Sequence, residues 1–260
     1  MLKKRIIGVI PICNNQVVQS FGFRKTLPLG KPKIFVENLD RWFVDEIVVI
    51  DFSASRNNKG PNLELIKELG QITKNTPVAY GGGIRDVNDA VKIINLGFER
   101  IILDNLYLNN PKNIIKISEN IGSQAIILSL PVQIKKNIIQ HFNYLEKNNI
   151  NLDTNKLNNF KNFFSEILLI DYNNEGTDGK FNMKLLTKFL QFTKDIPILP
   201  FGGISKSKQI KKLLSFKRVQ AVCIGNSLNY KEIAVQNLKE YLINKNVKNL
   251  RPPQYIKNIM

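Results

Sequence analysis

Six pairs of marked positions in this 260-residue chain recur at one interval, 120 residues. Pro11 pairs with Pro131, Glu46 with Glu166, Asp51 with Asp171, Pro77 with Pro197, Gly82 with Gly202 and Gly83 with Gly203. Each half carries four short apolar runs: RIIGVIPI, EIVVIDF, TPVAYGGGI and ERIILDN, then SQAIILSLPV, EILLIDY, IPILPFGGI and VQAVCIGNS. Helical patterns lie between them, such as NLELIKELGQITK, DVNDAVKIINLGF with Asp86 as N-cap, and NPKNIIKISENIG with Pro111 at the first helical position. Alternating strands and helices imply parallel pairing, because only a crossover of helix length joins parallel neighbours. A four-strand unit would leave two open edges, and two copies close on each other. The chain is therefore expected to be one α/β domain, a (β/α)8 barrel of the TIM type. Its half-barrels would span about 1–122 and 123–250, with a tail over 251–260. An open doubly wound sheet is the alternative, and it lacks a G-x-G-x-x-G turn after the first strand.

Composition narrows the setting. No apolar run approaches the roughly 18 residues of a membrane helix, and no small-residue cleavage site follows MLKKRIIGVIPI, so a cytoplasmic protein is expected. The two cysteines, Cys13 and Cys223, are expected to be reduced thiols. A net charge of +17 raises nucleic acid as a partner, but the lysines are scattered and no recognition motif accompanies them. Specific nucleic-acid binding and membrane association are not expected. No His, Cys and carboxylate cluster has metal-ligand spacing, and no cofactor or metal is expected.

Barrel chemistry sits at the carboxyl ends of the strands. Strands three and seven end in GGG and FGG, and strands four and eight in LDN and IGNS. Two such pairs suggest two opposed anion cradles, whereas either pair alone would read as tight turns. Together RIIGVIPI, VDEIVVIDFSAS, PVAYGGGIRDVNDA, EILLIDYNNEGTDG and GGISKSKQIKKLL resemble the cyclase subunit of imidazole glycerol phosphate synthase over nearly the whole chain. The resemblance implies a barrel that takes ammonia from a separate glutaminase to split and cyclise a bisphosphorylated histidine precursor. It places Gly83 and Asn105 at one phosphate, and Gly176, Thr177, Gly203, Gly225 and Asn226 at the other. It also implies catalytic aspartates at the ends of strands one and five, where this chain has Pro11 and Pro131. Proline can neither give nor take a proton, and acid–base catalysis is worth about 10² to 10⁴ per group. Gln19 stands where the family has a lysine, and Asp104 where it has a phosphate-binding asparagine. Residues 133–165 lack the glycine-bearing substrate loop. Asp51 remains as a catalytic candidate, with capping of the next turn as the other reading.

At the opposite rim Arg5, Glu46, Arg100 and Glu166 each precede an apolar run. Alternating signs could close into an ion-pair ring, or be four solvated charges. By resemblance they form the gate through which ammonia enters, and Glu99 joins them where the glutaminase docks. An intact gate beneath dismantled chemistry resembles the divergent subgroup associated with surface-polysaccharide sugar amidation or amidination, with a third, sugar-directed amidotransferase. LPLGKP, LDRWFVDEI and SASRNNKGPN fit that subgroup. Three classes result: an ammonia-receiving subunit serving a non-histidine product, an ordinary histidine-pathway cyclase, and a non-catalytic glutaminase activator that only conducts ammonia. Cys13 with His141, the sole histidine, is a weaker nucleophilic pair. Trp42, Phe163 and Phe164 read as packing residues.

Overall fold

The computed structural model describes residues 3–73, 75–193, 195–229 and 234–254. Its strands are β1 (Arg5–Cys13), β2 (Gln16–Phe21), β3 (Lys25–Gly30), β4 (Glu46–Asp51), β5 (Val78–Gly81), β6 (Arg100–Leu103), β7 (Ile126–Lys135), β8 (Ile138–Asn143), β9 (Asn148–Asn151), β10 (Glu166–Asp171), β11 (Ile198–Phe201) and β12 (Ala221–Ile224). The helices are α1 (Pro32–Arg41), α2 (Phe52–Arg56), α3 (Leu63–Ile72), α4 (Val87–Asn95), α5 (Asn105–Asn109), α6 (Pro111–Ile121), α7 (Thr154–Asn159), α8 (Met183–Phe192), α9 (Ser207–Leu214) and α10 (Ala234–Asn244).

Strands β1, β4, β5, β6, β7, β10 and β11 pair in that order, all parallel. The ring closes because β12 pairs parallel with β1, Arg5 opposite Ala221, and Ile198 of β11 bridges Val219 just before β12. The eight expected runs thus form a closed α/β barrel. Their near-continuous apolar character follows from burial on both faces. Alternate side chains separate two cores: Ile6, Ile10, Ile47, Val49 and Leu169 pack outward on the helices, while Ile7, Val9, Val48, Leu168 and Leu199 fill the lumen. Each such buried aliphatic side chain contributes about 1.5–3 kcal/mol. Asp86 caps α4 by accepting the Asp89 N–H at 2.9 Å, and Pro111 opens α6, as the sequence suggests.

The reading of eight strands omits two antiparallel hairpins. β1 turns through Asn14 and Asn15, both at positive φ, into β2 and β3, and β7 turns through Lys136 and Asn137, also at positive φ, into β8 and β9. Two-residue turns with both φ values positive match the strand twist, and Asn is among the residues that tolerate them. Both hairpins rise from the strands that carry Pro11 and Pro131, so the repeat extends to them. Residues 133–165, which lack a glycine loop, are this second hairpin followed by α7.

The paired aspartates and glycines have one structural explanation. By alternation Asp51 and Asp171 point out of the lumen. Asp51 accepts from Ser53 Oγ at 2.6 Å and Ala54 N at 3.0 Å, capping α2, and Asp171 accepts from Asn174 Nδ2 at 2.7 Å and Asn182 N at 2.8 Å. A Cβ on Gly82 would lie 2.4 Å from the Asp51 carbonyl oxygen, and one on Gly202 would lie 2.5 Å from that of Asp171, both at positive φ. Each half therefore needs a glycine where its third strand's end crosses its second.

Candidate functional site: a charged ring and a plugged mouth

At the strand-start end the four charges close into a ring. Arg5 donates to Glu46 at 2.7 Å and to Glu166, and Arg100 donates to Glu46 at 3.1 Å and to Glu166 at 2.6 Å. Arg100 also reaches Ser165 Oγ at 2.7 Å. Each carboxylate touches both arginines, so no charge lacks a counter-charge. Glu46 is 2% exposed, and its burial raises its pKa against the pull of Arg100 and Arg5. Glu99 lies exposed at this end, and one of its oxygens accepts the Val78 N–H at 2.7 Å.

Above the ring the lumen is apolar and includes small residues such as Ala79 and Ala221. Pro11 and Pro131 are buried on the inward-facing rows of β1 and β7, beside Ile50 and Ile170. Aromatic rings seal the mouth. Phe23, 2% exposed, meets Phe52 at 5.4 Å, Tyr144 at 6.4 Å and Phe201 at 6.4 Å, and Phe142 stacks on Tyr172 at 5.1 Å. The first hairpin's tip is latched down. The buried Glu175 accepts from Ser20 Oγ at 2.8 Å and Phe23 N at 3.1 Å, Arg56 donates to the Phe23 carbonyl, and Asn226 donates to that of Ser20 at 3.0 Å. Burial raises the Glu175 pKa, opposed by Ser20 and the backbone N–H groups.

Two clefts flank this plug. One, of about 400 Å³, gathers Gly176, Thr177, Gly203, Gly225 and Asn226 with Gln19 and Lys206. The other, of about 200 Å³, gathers Gly83 and Asn105 with Lys59, Arg85, Asp104, Ser129 and Tyr144. The residues assigned to each phosphate by resemblance thus share one cleft apiece. Asp51 does not join them by its side chain, which is engaged as a helix cap. Cys13 and His141 do not pair: neither imidazole nitrogen has a hydrogen-bond partner, and Nε2 faces Asp104 Oδ1 at 3.6 Å. Trp42 and Phe163 pack partly buried on the outer core, and Phe164 lies within it.

Sequence reasoning missed the lid residues Phe23, Glu175 and Tyr144. The pair of turn asparagines after ICNN, followed by the alternating QVVQSF, is the signal for the first hairpin. No local signal ties Glu175 to it across 152 residues.

Residues 5–234 match a family described as "Histidine biosynthesis protein". The chain belongs to that family. A putative imidazole glycerol phosphate synthase subunit HisF of Leptospira borgpetersenii is 29% identical over 239 residues, 90% of this chain and 92% of the relative. The imidazole glycerol phosphate synthase subunit HisF of a Hydrogenobaculum species is 27% identical over 254 residues, 95% of this chain and 98% of its own. A putative imidazole glycerol phosphate synthase subunit hisF2 of Vibrio vulnificus is 27% identical over 236 residues, 89% and 85%. This chain has glycines just past the ends of β5 and β11 and prolines on the inward rows of β1 and β7. Among the described residues no helix is long and apolar enough to cross a membrane.

Proposed function

We propose that this barrel receives ammonia from a glutaminase docked on its strand-start face, around Arg5, Glu46, Glu99, Arg100 and Glu166, and serves a product other than the imidazole of histidine. The closed ring carries this reading. Four charges that satisfy one another around the barrel axis form a plug that can part without leaving any one of them unpaired for long, and the apolar lumen above admits neutral ammonia while disfavouring ions. What sets the chain apart from a cyclase is the mouth. Pro11 and Pro131 offer no proton-transfer group on the rows where the resemblance calls for aspartates, and the buried Phe23 packs in the aromatic cluster at the mouth.

The motifs LPLGKP, LDRWFVDEI and SASRNNKGPN support placement with sugar amidation or amidination in surface-polysaccharide biosynthesis, where a third amidotransferase would take the ammonia. The purely conducting activator is the variant of this reading in which no substrate is transformed in the barrel. In the glutaminase complex, Glu46→Lys is expected to leave glutamine hydrolysis running while ammonia escapes to solvent instead of reaching the acceptor. Unchanged coupling would refute the gate. The purified chain with ammonium salt is expected to give no turnover of the bisphosphorylated histidine precursor beside an authentic cyclase, and detectable cyclisation would restore the histidine reading.

A further inference from the structure

Asp104 sits one residue past β6 on the inward row that begins with Arg100 and Ile102. Of the inward-facing positions on the eight barrel strands above the charged ring, it carries the one carboxylate among the described residues. Its contacts are few and long. Asp104 Oδ1 is buried with no hydrogen bond, its Oδ2 has only Ser129 Oγ at 3.5 Å, and both nitrogens of the fully buried His141 are unpartnered. His141 Nε2 lies 3.6 Å from Oδ1, and its ring stacks on Tyr107 at 6.2 Å, which holds it there. The neighbouring Asn105 Oδ1, lining the same cleft, is also buried and unpartnered.

A buried polar atom without a partner costs about 1–3 kcal/mol, and more when it is charged. Several such atoms gathered at one point imply a ligand that completes them. Two of them are acceptor oxygens, the Asp104 carboxylate oxygen and the Asn105 amide oxygen, which call for a donor, and a cation is favoured beside a carboxylate. Asp104 shares the floor of the cleft with Ile50, Ile102 and Ile170, the last inward residues above the apolar lumen. Burial raises the Asp104 pKa, opposed first by His141 and then by Ser129.

We propose that Asp104, positioned by His141, is an ammonium-binding and proton-exchange site at the upper end of the lumen. This rests on the reading of the barrel as an ammonia carrier. Ammonium donates N–H bonds to Asp104 Oδ1. When one N–H bond breaks, its electron pair stays on nitrogen as the lone pair of ammonia and the proton goes to Oδ1; the reverse step regenerates ammonium. Ammonia leaving the apolar lumen is thus held at the mouth in exchange with its nucleophilic form. The acid–base function absent at Pro11 and Pro131 then falls to the residue that follows β6. Lys59 and Arg85 line the same cleft but are exposed at its rim, Arg85 tied to Asp89 at 3.0 Å, and Tyr144 and Ser129 contribute hydroxyls.

His141 is the only histidine in the chain, so its ring nitrogens report the site without assignment. In an isotope-labelled sample of the full chain, ammonium chloride is expected to shift the imidazole nitrogen resonances saturably, while sodium and potassium chloride at equal ionic strength leave them in place. Asp104→Asn is expected to abolish the response, with backbone amide spectra confirming its fold. No shift in the unsubstituted protein, or the same shift with potassium, would overturn the proposal whatever the variant does. The isolated chain suffices for this test, so its failure would leave the gate, measured by coupling in the glutaminase complex, to stand or fall separately.

Discussion

Replacing Glu46 by glutamine keeps the shape of the charged ring and removes one of its four charges. Glu46 accepts from Arg5 at 2.7 Å and from Arg100 at 3.1 Å, and its side chain is 3% exposed against 17% and 13% for the two arginines. Glutamine offers one acceptor oxygen where the carboxylate offers two, so one arginine keeps its bond while the other faces an amide N–H, and losing one hydrogen bond to a charged group costs about 1.5–3 kcal/mol. The loss stays below the roughly 3–5 kcal/mol of a stripped buried charge, because both arginines keep Glu166. For a chain of this size that lowers the melting temperature by about 5–10 °C. Added salt should change the difference little, since buried pairs are weakly screened. Glu166→Gln should behave alike. The double variant should lose more than the sum, because two adjacent guanidinium groups then face no carboxylate. Urea unfolding of the four proteins closes the cycle. A loss under about 0.5 kcal/mol for Glu46→Gln, or additivity in the double variant, would show that the four charges act as independent rim pairs and not as one ring.

Three further outcomes can be checked. Phe23→Ala should cost about 3–5 kcal/mol in urea unfolding, since it empties the ring cluster at the mouth; a loss under 1 kcal/mol would mean the lid is not packed as described. Glu175 has a raised folded pKa, so its contribution is fully present below the unfolded carboxyl value and is lost as pH rises through the folded one; Glu175→Gln should therefore flatten the decline of unfolding free energy above about pH 4.5, and an unchanged slope would place the decline elsewhere. Gly203→Ala sets a Cβ at φ +71° and 2.7 Å from the Asn174 carbonyl oxygen, and should abolish any binding of inorganic phosphate to the larger cleft seen by phosphorus NMR; equal binding in the variant would argue against a cradle there.

The fold was legible because its signals are local and repeated. Apolar runs bounded by glycine and proline name the barrel strands, Asp86 and Pro111 mark helix starts, and the 120-residue interval sets the pairing of halves. The four gate charges were legible for the same reason, each standing one step before a run whose inward row it extends. Asp51 was half legible: its place at a strand end was visible, but whether its carboxylate faced the lumen or the backbone of α2 depended on one residue of alternation. The cradle glycines had two readings from the sequence. Gly82 and Gly202 prove to be demanded by neighbouring carbonyls, and Gly203, itself close to the Asn174 carbonyl, also shares a cleft with Gly225 and Asn226.

What the sequence determined alone, then, is the closed α/β barrel, its twofold repeat, the charges at one rim and the prolines at the other, all read from short local patterns and their recurrence at one interval. Only the tertiary structure decided how the mouth is closed. The latch between Glu175 and Phe23 and the meeting of Asp104 with His141 join residues 152 and 37 positions apart on different strands and loops. Such contacts are set by which loop folds over which strand end. That depends on burying Phe23, Phe142 and Tyr172 together, a requirement of the whole barrel that no local pattern encodes.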